Sequence, residues 1–175
     1  MDFAAFWATY NTLIFTVGVQ AMLALSIYLT LSCGLLSLGN AAFMGIGAYT
    51  SALITINLGW PFPVSLLLGC LLPGMIALII GIPVLRLSDV YLAIATLGFG
   101  EVVRVILLNL KITGGPMGLN NVPMLTQWWH ILILLTLTIY IVYSMRRSKI
   151  GRAFEAIKED QTAASIMGIN SIAAL

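Results

Sequence analysis

Glu101 and Arg104 stand three residues apart in the apolar segment VYLAIATLGFGEVVRVILLNL, and no charged residue lies between Asp2 and Arg86. On a helix that spacing puts both side chains on one face, where they can pair. A charge at mid-depth in lipid costs about 2.5 kcal/mol or more unless it is paired or hydrated. Two roles justify that cost: contact with a polar solute on a pathway, or a matched pair that fixes helix packing. Glu101 is the deeper of the two, whereas Arg104 lies close enough to the end of the segment to snorkel toward water. Thr96, Gly98 and Gly100 on the same segment are assigned with the pair to a translocation pathway or bundle interior.

Other chemistry is poorly supplied. Catalysis at lipid depth needs paired acids, a nucleophile with a general base, or clustered metal ligands, and Glu101 is a single carboxylate. His130, the only histidine, sits beside Trp128 and Trp129 and reads as a headgroup contact. Gly45 and Gly47 begin a GxG pattern, but Thr50 takes the place of the third glycine and no strand precedes it, so a dinucleotide site is not expected. Cys33 and Cys70 lie in or beside apolar runs and read as small apolar residues. The expectation is therefore no enzyme, no metal and no cofactor.

The elements that must position these residues follow from composition. Hydrophobic residues make up 61% of the 175 positions and charged ones 8%, against about a quarter charged in a soluble domain. A helix needs roughly 20 apolar residues to cross a bilayer. Five segments qualify: Thr12 to Leu31, Gly39 to Ile56, Pro63 to Leu85, Val90 to Leu110, and Trp128 to Met145. The fold class is all-α, a polytopic transmembrane bundle embedded in the lipid bilayer as one domain over 1–175. A net charge of +2 is too small to suggest nucleic acid.

Orientation rests on two patterns. Arg146, Arg147, Lys149, Arg152 and Lys158 follow the fifth span, which the positive-inside rule assigns to the cytoplasm; counting back puts Arg86 inside, Lys111 outside and the N-terminus outside. Trp7, Trp60, Trp128 and Trp129 all then fall at outer ends, where indole rings favour the headgroup layer. The second span is the weak one, since the turn before it carries no charge and it contains Gly39, Asn40, Gly45 and Gly47. A broken or re-entrant segment there is the alternative.

Small residues spaced by four, Ala41 with Gly45, Gly47 with Ser51 and Ala77 with Gly81, let helix backbones approach. Pro73 in the third span is expected to kink its helix. The stretch Ile112 to Pro123 is dense in Gly, Pro and Asn and reads as an external loop. Beyond the basic cluster, Phe154, Ile157, Ala164 and Ile166 recur at near-helical spacing, giving an amphipathic helix that either rests on lipid headgroups or meets a partner. The final SIAAL looks like the start of a further span, as though the chain were part of a larger permease.

Three segments in order carry a family resemblance: SLGNAAFMGIGAYTSALI from Ser37, RLSDVYLAIATLGFGEVVRVI from Arg86, and TGGPMGL from Thr113. Together they resemble the permease subunits of branched-chain amino acid ABC importers, over about Leu31 to Asn170. The resemblance implies a bacterial inner-membrane permease for leucine, isoleucine and valine that hydrolyses nothing itself. Its implied partners are a second permease subunit, ATP-binding subunits and a periplasmic solute-binding protein. It also implies that 148–169 is the cytoplasmic coupling segment, with Arg152, Lys158, Glu159, Asp160, Ala163, Ala164 and Gly168 at the ATPase contact. TAASIMG resembles the permease signature EAAxxxG, although Thr162 stands where the family has Glu. A permease for an amide or urea, or a non-transporting subunit of a membrane complex, is the alternative.

Overall fold

The structure is a computed structural model and describes residues 3–84, 87, 89–120, 122–123, 126–159 and 167. Those residues form six α-helices and two short 3-10 turns: α1 Phe3–Ser32, α2 Asn40–Leu58, α3 Phe62–Val84, α4 Asp89–Asn109, the turns Lys111–Thr113 and Gly115–Met117, α5 Trp128–Arg147 and α6 Lys149–Glu159. Five of the helices are long and apolar enough to cross a membrane. Their bounds match the five expected segments except at α1, which begins at Phe3 rather than Thr12. Nothing in FAAFWATYN, free of Gly and Pro, interrupts the helix. The apolar span within it is Tyr10–Ser32.

Contacts divide the chain into two compact units, 1–34 with 126–175, and 35–125. In the first, α1 packs on α5 where Gly18 lets Ile131 reach the α1 backbone. Ser148 then ends α5 and starts α6: its backbone N–H donates to the Met145 carbonyl at 3.1 Å, and its Oγ accepts from the Gly151 N–H at 3.3 Å. A serine oxygen on the third amide of a helix is an N-cap. Gly151 lies so close to the Met145 and Arg146 carbonyls that no Cβ fits there. The apolar stripe of α6 is thereby spent inside the unit, with Phe154 and Ile157 buried. The alternative of a stripe resting on lipid headgroups does not hold for these two residues.

In the second unit α2 is one unbroken helix, so the break weighed for Gly39 to Ile56 does not form. Its glycines are used against α3 instead. A Cβ at Gly47 would lie 2.7 Å from the Gly69 carbonyl oxygen, and one at Gly69 would lie 2.9 Å from the Ser51 Cβ. Lipid tails are as apolar as leucine, so close van der Waals approach of this kind is what holds membrane helices together. Ser65, Gly69 and Pro73 recur every fourth residue and form the buried stripe of α3. α4 is anchored through Leu92, Ala93, Thr96 and Val103, with Phe99 against Phe43 at 5.2 Å between ring centroids.

The polar stretch after α4 is more ordered than a loop. Gly114 takes φ 79°, and a side chain there would run into the Gly118 carbonyl. This left-handed turn brings Thr113 back under the helix, where its hydroxyl donates to the carbonyls of Leu107 and Leu110 and is almost fully buried.

Candidate functional site

α2 and α4 enclose a groove of about 390 Å³. Its walls are Leu38, Ala41, Gly45, Tyr49, Leu97 and Leu107, and among the described residues its charged ones are Glu101 and Arg104. The pair exists as an ion pair, Arg104 Nη1 to Glu101 Oε2 at 3.2 Å. The contact is single, so the second carboxylate oxygen and the second terminal guanidinium nitrogen have no partner among the described residues.

Both side chains stay open, Arg104 68% and Glu101 64% exposed. Within this unit neither α2 nor α3 covers the pair. Glu101 is eight residues from the end of α4 at Asn109, about 12 Å at 1.5 Å per residue. An open ion pair at that depth is costly against hydrocarbon, so its face needs water or further protein beside it.

The neighbouring candidates separate. Gly100 lines the groove and Gly98 does not, a Cβ at either meeting nothing within 4 Å. Thr96 is buried away from it: its hydroxyl donates to the Leu92 carbonyl at 2.9 Å and accepts from the Leu38 N–H at 3.0 Å. It therefore ties the segment before α2 to α4. Among the small residues, Gly47 and Ser51 meet α3, a Cβ at Gly45 would lie 3.8 Å from Leu107 Cδ1, Ala41 lies in the groove, and nothing stands within 4 Å of a Cβ at Gly81.

Arg152, Lys158 and Glu159 are exposed on α6. Asp160, Ala163, Ala164 and Gly168 lie outside the described residues, as do Thr162 and Arg86. Where α6 meets α5, Arg146 pairs with Glu155 at 3.4 Å, donates to the Tyr28 hydroxyl and stands 5.7 Å from that ring's centroid. Arg147 covers the Tyr143 ring at 4.6 Å. Such stems along aromatic faces suit the interface between lipid and water.

His130 has a structural task that its place beside two tryptophans did not reveal. Its Nδ1 accepts from the Gln127 N–H at 3.2 Å, closing the start of α5, and its ring stacks on Trp129 at 3.9 Å. Cys33 is buried at the end of α1, and burial pushes its thiol pKa up despite a hydrogen bond with Ser32 that lowers it. Sequence reasoning missed Gly69 and Tyr49. The i, i+4 recurrence of Ser65, Gly69 and Pro73 could have flagged the first, while nothing local marks the second.

Helices that span, pack through small residues and carry one open ion pair at depth define a multi-pass membrane protein with a charged groove. Residues 9–172 match the family described as the branched-chain amino acid transport system / permease component, and the chain belongs to that family. It is 36% identical over 183 aligned residues to the high-affinity branched-chain amino acid transport system permease protein LivM of Salmonella typhimurium, and 35% identical to that of Escherichia coli K12. Each alignment covers 85% of this chain and 43% of the relative, so the chain spans less than half the length of the curated relatives it matches. No solved structure matches it significantly.

Proposed function

We propose that the chain is a transmembrane part of a permease subunit in an ATP-driven importer of branched-chain amino acids, with the α2–α4 groove on the solute pathway. The observation that carries this is the open Glu101–Arg104 pair within an apolar groove, in a chain of the permease family. A solute pathway supplies the water that such a pair requires. Residues 1–175 act as one permease domain of the bacterial inner membrane, with the N-terminus outside.

On this reading ATP is hydrolysed by separate subunits, a second permease subunit completes the pathway and a periplasmic protein delivers the solute. Segment 148–169 couples the ATPase to the spans. α6 is suited to that role because its charged side is open while Phe154 and Ile157 are locked against its own unit, so a push on the helix is passed to α1 and α5. Differential contact with two ATPase states must supply the energy.

Coexpression with the neighbouring transport genes and reconstitution into vesicles tests the proposal. ATP-dependent accumulation of leucine, isoleucine and valine is the expected result. Accumulation of urea or a short amide alone would overturn the solute assignment, and an assembled complex that moves no solute would overturn the permease reading itself.

A further inference from the structure

Taking the permease reading as its basis, we infer that Glu101 and Arg104 form a recognition subsite for the zwitterionic end of an α-amino acid. The ammonium sits on the Glu101 carboxylate and the α-carboxylate on the Arg104 guanidinium. Three observations on the same groove lead there.

The charges are of both signs and 3.2 Å apart, as close as the two charged groups of an α-amino acid. Their mutual contact is a single hydrogen bond, which leaves one carboxylate oxygen and one terminal guanidinium nitrogen to a ligand. A zwitterion bridging them closes a ring of four alternating charges, each hydrogen bond charge-assisted. Neither a cation nor an anion alone can do so, since each supplies only three of the four charges and leaves one member of the pair with its mutual contact alone.

Around the pair the groove is apolar: Leu97 and Leu107 on α4, and Ala41, Gly45 and Leu38 from the α2 side. Ala41 and Gly45 keep that side shallow, leaving room for a branched aliphatic side chain beside the charged end. About 390 Å³ is at the lower end of the size of small-molecule sites. Finally, the pair is open, so a ligand reaches it without unpacking α4.

Recognition then divides between two parts of one ligand. The pair demands both α-groups, while the walls demand only that the side chain be apolar and of moderate bulk. Discrimination against a solute lacking one charged group rests on the second carboxylate oxygen or the second guanidinium nitrogen that it leaves unfilled. Discrimination among leucine, isoleucine and valine is weak.

The test uses the assembled transporter containing this chain in vesicles, treated with a lipid-soluble carbodiimide that labels carboxyl groups within membranes. Adduct at Glu101 is followed by mass spectrometry with leucine, with isopentylamine or with 4-methylpentanoate present. Leucine at ten times its half-saturating concentration is expected to slow labelling about tenfold by simple occupancy, and either one-charge analogue to slow it less than about twofold. Glu101→Gln and Arg104→Gln, checked for assembly by copurification of the ATP-binding subunits, are each expected to raise the leucine KM about tenfold, the loss of one charge-assisted contact.

Vesicles that accumulate leucine while leucine gives Glu101 no protection would overturn the subsite and leave the permease intact. Equal protection by the amine alone would overturn two-ended recognition. If both variants assemble with unchanged leucine KM, the subsite is wrong as well. Accumulation of a different solute, with no leucine uptake, would instead remove the reading on which it rests. Should either variant fail to assemble, the labelling of the unaltered chain decides.

Discussion

Among the described residues two ion pairs of nearly the same geometry stand in opposite settings. Arg104 and Glu101 meet at 3.2 Å and Arg146 and Glu155 at 3.4 Å, and all four side chains are at least half exposed. Distance and exposure would rank them as equals. The surroundings do not: Glu101 lies about 12 Å and Arg104 about 7.5 Å inside a span, and the other pair lies at the junction of α5 and α6, where Tyr28 also serves Arg146. A surface pair is worth roughly 0–1 kcal/mol, whereas removing one partner at lipid depth strands a charge that costs several times that. Exposure in a membrane protein therefore means little until the contacting phase is known.

Three experiments sharpen that contrast. The largest effect is expected from Glu101→Ala, which strands Arg104: the yield of assembled chain in membranes should fall about tenfold or more, from a cost of about 2 kcal/mol, while Glu155→Ala changes it less than about twofold. The double variant Glu101→Ala with Arg104→Ala should recover most of that yield, because neither charge is then unpaired. Yields measured by immunoblot on membranes decide it, and equal losses for the Glu101 and Glu155 single variants would abolish the distinction.

Next comes Gly151→Ala, where a new Cβ meets two carbonyls of the chain at the end of α5. Overpacking of this kind costs about 1–3 kcal/mol, and it should lift α6 and separate Glu155 from Arg146. Faster amide exchange over Gly151–Glu159 with unchanged exchange in α4 is the expected signature. Tyr28→Phe is expected to be mildest: it deletes one hydrogen bond to Arg146 but keeps the ring beneath it, for about 0.5–1.5 kcal/mol in thermal stability. A loss as large as that of Gly151→Ala would mean that the hydroxyl, rather than the packing, seats α6.

Most of the architecture was written locally. Each span announces itself by apolar length, and the ends fall where Pro, Gly or charge interrupts, so α2 to α5 lie close to the expected bounds. α1 began earlier because polarity at Thr9 and Asn11 shortens an apolar run without breaking a helix. The pairing of Glu101 with Arg104 was also legible, being fixed by helical spacing. What the sequence hid depends on contacts between distant positions: Thr96 bonding Leu38 across 58 residues, Gly69 meeting Gly47, and Tyr49 joining Glu101 in one groove. The glycines of α2 invited a broken helix when read alone, since only the neighbouring α3 explains their absence of side chains. The amphipathic stripe marked a helix at Phe154 and Ile157 but not its cover, because period alone does not say what lies opposite a face.

Thr113 has one more effect, on where the aqueous phase ends. A helix terminus normally draws water to its last carbonyls, but here the Leu110 N–H takes the Ile106 carbonyl and the Thr113 hydroxyl takes that of Leu107. Two carbonyls of the last turn of α4 are thus taken by its own chain, while Leu108 and Asn109 beside them are exposed. Arg104, five residues or about 7.5 Å from Asn109, is nearer that end than Glu101, so it is the member of the pair that water at the rim reaches first.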